Sequence, residues 1–300
     1  MATDGPGHVV VLGGSGFVGR HLVPRLLQAG HRVTVLTRQL TPDKRAALSR
    51  QASVREGDVH DAGFLRSAFH DADAVVNLVG ILNERGDNGA GFERVFVGVA
   101  ETLIAAMHSA GVRRLLQMSA LHAGVGQSHY LQSRGRAELA VRESGLDWTL
   151  FRPSVIAGPG DGLFCRFDAL LRLLPALPLG RADAVFQPVW VIDVADAFVR
   201  SLAEPGSIGQ YFELVGPERF SLAQIVRMTA RARGRHRAVM ALSPGLGRLQ
   251  AAIGEHLPGK PISRDNWRSL QLDSTSEHDG LAELGITATA VSAKLHEILR

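Results

Sequence analysis

Gly13, Gly16 and Gly19 stand at three-residue spacing between the apolar run Val9-Val10-Val11-Leu12 and a stretch with helical apolar periodicity, Val18, Leu22, Val23, Leu26 and Leu27. Glycines so placed can hold phosphate. A glycine-built turn from strand to helix lets the main chain approach a pyrophosphate and aims the first helical N–H groups at it. Gly13 would make the tight turn, Gly16 would admit the close approach, and Gly19 would let the helix pack on the strand. The expected cradle is therefore Gly13, Gly14, Ser15, Gly16, Phe17, Val18 and Gly19. A second set of residues suits proton transfer. Ser119 closes the run Leu115-Leu116-Gln117-Met118, Tyr130 follows eleven residues later, and Arg134 stands four beyond Tyr130. On a helix, Tyr130 and Arg134 share a face. A guanidinium there favours the phenolate form of the tyrosine.

The second strand bears on which dinucleotide fits. A site for NAD(H) usually carries Asp or Glu at the end of that strand, to accept from both ribose hydroxyls. Here the strand ends Leu36-Thr37-Arg38, and the first acid beyond it is Asp43. A guanidinium suits a 2′-phosphate, which it can grip bidentately, so Thr37 and Arg38 point to NADP(H) in preference to NAD(H). Asp58, in Gly57-Asp58-Val59, either accepts from the adenine amino group or caps its own loop.

The elements that must position these residues follow a regular rhythm. Strands are expected at His31–Leu36, 53–55, Ala74–Leu78, Arg113–Gln117 and Trp148–Phe151, with helices between them at 43–51, 61–70, Phe92–Ala110 and Ser128–Ser144. Strands that alternate with helices, and are themselves nearly continuous apolar runs, form a parallel sheet covered on both faces. Beyond Arg152 the rhythm changes at Pro153 and the cluster Gly158-Pro159-Gly160-Asp161-Gly162. A helix over Leu163–Leu174 has a wide apolar face, which serves either a lipophilic substrate or the core between two domains. Residues 185–203 read as one more sheet strand and its helix, and 205–300 as short helices with a strand at Tyr211–Val215. The expected division is a nucleotide domain of 1–157 with 185–204, and a substrate or interaction domain of 158–184 with 205–300.

Composition limits the alternatives. The chain has 300 residues with 45% hydrophobic content, enough for one large or two modest cores. No apolar run approaches the ~18 residues of a membrane span, and no basic stretch precedes an apolar one at the N-terminus, so neither a span nor a signal peptide is expected. Cys165 is the single cysteine, which points to a reducing compartment. The twelve histidines show no ligand-like spacing, so no metal is expected. Residues 218–270 carry +7 while the rest of the chain carries −3. Such a segment is either a solvated face or a docking surface for an anionic membrane or an acidic protein. The arginines lack interleaved aromatics, and no motif for reading nucleic acid appears.

Taken together, the glycine pattern, Gly57-Asp58-Val59, Asn77-Leu78-Val79-Gly80, Ser119, Tyr130-x-x-x-Arg134 and Arg152-Pro153-Ser154 resemble the extended short-chain dehydrogenase/reductase superfamily. The short Ser119–Tyr130 segment, and Phe186-Gln187-Pro188-Val189 followed by Asp193-Val194-Ala195, are similar to its atypical branch, which includes the nucleotide-binding accessory subunit of respiratory complex I and its bacterial relatives. The resemblance implies a Rossmann-type doubly wound α/β sheet with a smaller, mainly helical C-terminal substrate domain. It implies Tyr130 as general acid/base and Ser119 as the group that orients a carbonyl. Arg134 stands where the superfamily has lysine. A guanidinium keeps the charge, but its size and fixed protonation alter the ribose contact and any proton relay. The resemblance also places Asp58, Val59, Leu78, Val79, Gly80, Pro153 and Ser154 around the cofactor. Two functions follow: a reductase, dehydrogenase or isomerase acting on a lipophilic, quinone-related substrate, or a non-catalytic protein that holds NADPH in a respiratory or quinone-related assembly. A nucleotide-sugar epimerase or dehydratase is a further alternative, weakened by the short Ser–Tyr spacing and the missing lysine. The expected location is cytoplasmic, at most peripheral on the inner face of the membrane.

Overall fold

The computed structural model describes residues 7–257 and 260–300. The first six residues of the expected nucleotide domain lie outside these, as do positions 258 and 259 of the basic segment. Seven strands form one parallel sheet: β1 (His8–Leu12), β2 (Arg32–Thr37), β3 (Ser53–Glu56), β4 (Ala74–Asn77), β5 (Arg114–Met118), β6 (Asp147–Pro153) and β7 (Gln210–Leu214). Their order across the sheet is 7-6-5-4-1-2-3. The longer helices are α1 (Gly19–Gln28), α2 (Pro42–Ala47), α3 (Ala62–Ala68), α4 (Val99–Ala110), α5 (His129–Arg142), α6 (Phe164–Leu173), α7 (Val191–Ala203), α8 (Leu222–Ala232), α9 (Pro244–Gly254) and α10 (Arg264–Ser269).

The unbroken apolar strands are explained by burial on both sides. Val9 and Val11 join one core, with Leu22 and Leu26 of α1 and Phe198 of α7. Val10 and Leu12 join the other, with Leu65 of α3, Leu103 and Met107 of α4, and Val141 of α5. Strand order reverses between β1 and β4, which opens a crevice at their carboxyl ends, where such sheets bind ligands.

Three expectations change. The single helix expected over Phe92–Ala110 is a short α-turn, Ala90–Glu93, a π-helical stretch, Arg94–Gly98, and then α4. Such π insertions favour functional sites, and here Phe92 and Phe96, stacked at 6.0 Å, both present themselves edge-on to Tyr130. Residues 185–190 do not enter the sheet. Val185–Phe186 pairs antiparallel with Phe220–Ser221, and Val189–Trp190 pairs with Ile156–Ala157. Pro188 interrupts the run and leaves two-residue ladders on either side. The seventh strand is instead β7, which carries Tyr211 and which the sequence had placed in the C-terminal unit. It pairs parallel with β6 after the left-handed Gly209, whose N–H donates to the Trp148 carbonyl at 2.7 Å.

A third core lies in the C-terminal part, where Phe164, Phe167 and Leu171 of α6 meet Ile225 and Val226 of α8. This accounts for the apolar face of α6 as packing. On the same helix, the Asp168 side chain is 5% exposed and meets Arg172 at 2.7 Å, Arg235 at 2.7 Å and Arg233 at 3.4 Å. Much of the basic segment is likewise paired within the fold: Arg219 with Glu277, and Arg264 and Arg268 with Asp87. Arg237 donates to the Leu171 carbonyl and Lys260 to that of Glu84. Burial works against charge on Asp168, but Arg235, Arg172 and Arg233 outweigh it and hold the carboxyl below its ordinary range. A carboxyl depressed on folding contributes stability that is present above its unfolded value, roughly pH 4, and is lost as pH falls through the folded value. Asp168→Ala is therefore expected to lower stability by about 2–3 kcal/mol at neutral pH, less than a fully buried pair would give because the arginines are partly exposed. The deficit in chemical denaturation should shrink towards zero under acid; an equal deficit at all pH values would assign it to packing.

Candidate active site

The glycine turn ends β1 and opens α1. Gly13 has φ +76°, a left-handed backbone that suits glycine. The Gly16 N–H donates to the Gly13 carbonyl at 2.9 Å and closes the turn. A Cβ on Gly13 would lie 3.1 Å from the carbonyl carbon of Leu78 at the end of β4. A Cβ on Gly19 would lie 2.4 Å from Cα of Gly14, so Gly19 allows helix to meet turn rather than helix to meet strand. The N–H groups of Ser15, Phe17 and Val18 have no acceptor among the described residues. These are the amides that can meet an anion.

Neighbouring strand ends converge on this turn. Ser15 Oγ donates to Thr37 Oγ1 at 3.3 Å, which places the end of β2 and the exposed Arg38 beside the turn. The Gly57 N–H donates to the Thr37 carbonyl and draws in the end of β3. Asp58 is exposed, and its Oδ1 accepts the His60 N–H at 3.0 Å, the loop-capping arrangement. Val59 is 6% exposed and its side chain belongs to the core. Leu78 and Val79 pack against opposite cores and leave Gly80 exposed beside them.

The loop after β6 reaches the same turn. Arg20 donates to the carbonyls of Pro159, at 2.9 Å, and Gly160, and its guanidinium sits 5.6 Å from the Phe17 ring centre. His21 stands edge to face with Phe17. Burial, with the charges of Arg20 and Arg25, holds the His21 imidazole below its ordinary range and so neutral at neutral pH.

Ser119, Tyr130 and Arg134 come together at the end of β5. The Ser119 N–H donates to the Phe151 carbonyl at 2.7 Å, while its buried Oγ has no partner. Arg134 is 7% exposed. Its Nη1 donates to the Met118 carbonyl at 2.9 Å, its guanidinium lies 3.9 Å over the Phe96 ring and 5.5 Å from the Tyr130 ring, and its Nε is buried without a partner. No carboxylate pairs with it among the described residues. A Cβ on Gly80 would come within 2.9 Å of Arg134 Nη2, so the end of β4 borders the same place. The Tyr130 hydroxyl makes no hydrogen bond within the described protein.

An unpaired buried guanidinium and an orphaned hydroxyl are costly unless a polar, electron-rich molecule meets them. Together with three unclaimed amides on a turn where side chains are excluded, they fit a phosphorylated nucleotide. The same set can hold a phenol and a hydroxyl against a carbonyl.

Two expected residues are otherwise engaged. Pro153 accepts the Leu121 N–H at its carbonyl, at the carboxyl end of β6. The Ser154 hydroxyl is taken up by Ser274, at 2.7 Å from its carbonyl and 2.9 Å from its Oγ. Ser154 thus joins β6 to the C-terminal chain, so its hydroxyl has a structural partner in the place where a cofactor contact was expected.

The roles of two further residues, Asn77 and Asp265, were not legible beforehand. Asn77 Nδ2 donates to Gln117 Oε1 at 2.9 Å, and Asn77 Oδ1 accepts the Val79 N–H, which shapes the turn after β4. Asp265 of α10, 3% exposed, accepts from Ser128 Oγ at 2.9 Å and from the N–H groups of His129 and Tyr130 at 2.6 and 3.1 Å. A carboxylate from the C-terminal unit therefore caps the helix that carries Tyr130. The Ser263-x-x-Asn266 box announces the start of α10, but no local pattern ties it to a helix 135 residues away. His129, Asp87 and Asp265 also gather within 4.8 Å. Both acids already serve Arg268 and the cap.

A family described as NAD(P)H-binding matches residues 13–165. The chain is similar, at 29% identity over 97% of its length and 79% of the relative's, to the mouse protein "NADH dehydrogenase (ubiquinone) 1 alpha subcomplex subunit 9, mitochondrial". It is 31% identical to the "Ceramide reductase" of Caulobacter vibrioides over 68% of this chain and 64% of that protein. Among solved structures, "MoeE5 in complex with UDP-glucose and NAD" superposes with a TM-score of 0.77 at 20% identity, covering 98% of this chain and 97% of that one. That likeness is one of fold.

Proposed function

The chain belongs to the NAD(P)H-binding family, within the short-chain dehydrogenase/reductase superfamily, and from this premise we propose that it is an NADP(H)-dependent oxidoreductase acting on the carbonyl of a lipophilic, quinone-related substrate. The observation that carries the proposal is the buried Arg134, without a carboxylate, beside the orphaned Ser119 Oγ and the half-buried Tyr130. A nicotinamide dinucleotide held at the carboxyl ends of the sheet would supply hydride chemistry. The unclaimed amides of Ser15, Phe17 and Val18 would hold its pyrophosphate. Ser119 donates to the substrate oxygen, and Tyr130 passes it a proton at Oη. Arg134, fixed by Met118 and Phe96, stabilises the phenolate left behind. The name of the Caulobacter relative supports a lipid-like substrate. In this reading the protein works in the cytoplasm and meets an anionic membrane surface or an acidic protein through residues 218–270.

The cofactor preference rests on Arg38, exposed just past the end of β2, where the chain carries no Asp or Glu before Asp43; Glu56, opposite Thr37 on β3, is turned to the Leu40 N–H. In titration calorimetry, Arg38→Ala should weaken NADPH about 10- to 100-fold, the worth of a charge-assisted pair, and leave NADH within about twofold. Equal loss of both discards the NADP(H) preference, and no binding of either nucleotide by the unaltered protein discards the function.

A second reading, a nucleotide held without turnover, is favoured by the way Arg134 is fixed. Its stacking on Phe96 and bond to Met118 give it the geometry of a permanent clamp. The mouse relative, named as a subunit, supports the same reading.

A further inference from the structure

Helix α9 is docked by its small side and shows its large apolar side to solvent. Gly247, Ala251 and Gly254 are its buried positions. A Cβ on Gly247 would meet the Trp267 ring at 2.3 Å, and one on Gly254 would meet Ile262, so these small residues let the helix lie flush against α10 and the chain leading into it. On the other side, Leu246, Leu249, Ile253 and, just past the end, Leu257 are 54%, 55%, 55% and 50% exposed. Their spacing of three, four and four residues makes one stripe. Met240, 50% exposed, is paired with Pro178, whose carbonyl accepts from Gln250 of α9, and so extends the same apolar surface. A globular helix normally turns such a stripe inward.

The stretch of chain that contains the stripe is basic. From Arg227 to Arg264 the chain holds eight Lys or Arg and a single carboxylate, Glu255. Glu255 is buried and taken by Arg264 at 2.9 Å. Arg248, on α9 itself, is exposed, and Arg227, Arg231 and Arg248 have no ion-pair partner among the described residues. No described helix is long and apolar enough to cross a membrane.

We propose that α9 is a peripheral docking element that lays Leu246, Leu249, Ile253 and Leu257 into the headgroup–acyl boundary of an anionic lipid leaflet, which the excess of basic charge in the surrounding chain favours. This deepens, and rests on, the anionic-surface part of the proposed function. A flat stripe of aliphatic side chains suits fluid hydrocarbon, which supplies apolar area without a shaped recess. Docking would also hold the site near the membrane. Trp267, on which α9 sits, and Asp265, which caps the helix of Tyr130, belong to the same short α10.

The test is flotation of the whole protein with vesicles of phosphatidylcholine alone and of equimolar phosphatidylcholine and phosphatidylglycerol, at low and raised salt. The protein should float with the anionic vesicles and bind less as salt rises. Leu249→Asp and Ile253→Asp should each cut partitioning about tenfold or more, while Ile208→Asp, at an exposed loop position elsewhere, leaves it unchanged. All three should keep the melting temperature within a degree or two, since none fills a core position. Indifference of the unaltered protein to anionic vesicles overturns the proposal, as does full binding by the Asp variants. Self-association abolished by Leu249→Asp, without vesicle binding, would overturn it in favour of a second copy. NADPH titration on the same samples separates the two readings: flotation without nucleotide binding removes the nucleotide function alone, and nucleotide binding without flotation removes the docking element alone.

Discussion

Tyr130→Phe should reduce turnover of a carbonyl substrate by about 10²- to 10⁴-fold, the range for a positioned general acid, and leave NADPH affinity and the melting temperature unchanged. The asymmetry follows from the geometry. The Tyr130 ring meets Phe92 and Phe96 edge to face at 5.8 and 5.5 Å, contacts a phenylalanine ring repeats. The hydroxyl is bound to nothing in the described protein, so its removal leaves no buried partner unsatisfied. Only the proton is lost. Stopped-flow oxidation of NADPH, beside calorimetric binding, reads the two quantities separately. An unaltered rate removes Tyr130 from any mechanism. An unaltered protein that binds NADPH tightly but never oxidises it, across a panel of quinones and carbonyl compounds, moves the conclusion to the non-catalytic reading.

The largest effect on binding is expected from Gly19→Ala. The added Cβ would lie 2.4 Å from both Cα and the carbonyl oxygen of Gly14, and 2.5 Å from its carbonyl carbon. All three are backbone atoms that no rotamer change can move. The turn must open, which costs about 1–3 kcal/mol as overpacking and displaces the amides of Ser15, Phe17 and Val18. Losing two charge-assisted bonds to a diphosphate corresponds to about 100-fold or more in NADPH affinity. Gly98→Ala is the matched control. That glycine has helical φ and ψ of −61° and −36°, and no atom lies within 4 Å of the added Cβ. Alanine there should be neutral or slightly stabilising. If Gly19→Ala binds NADPH as well as the unaltered protein, the diphosphate does not sit on this turn.

The sequence by itself determined the parts whose physics is local. Strand β1, the glycine turn, α1 and β2 are written in apolar periodicity and in glycines at Gly13 and Gly19 that their surroundings require. The i, i+4 relation placed Arg134 on the face of Tyr130, and the structure brings its guanidinium 5.5 Å from the Tyr130 ring. Only the tertiary structure decided which surface each element would meet. A two-residue step or a 3.6-residue turn says which residues share a face and nothing about what covers it. Thus β7 joined the sheet while residues 185–190 stayed out, Ser154 went to Ser274, and Asp265 capped a helix far away in the chain. The periodic leucines of α9 would suit a core, yet Gly247, Ala251 and Gly254 fit Trp267 and Ile262 more closely and took the inward side. Close packing between distant segments made that choice, and it left an apolar stripe facing outward.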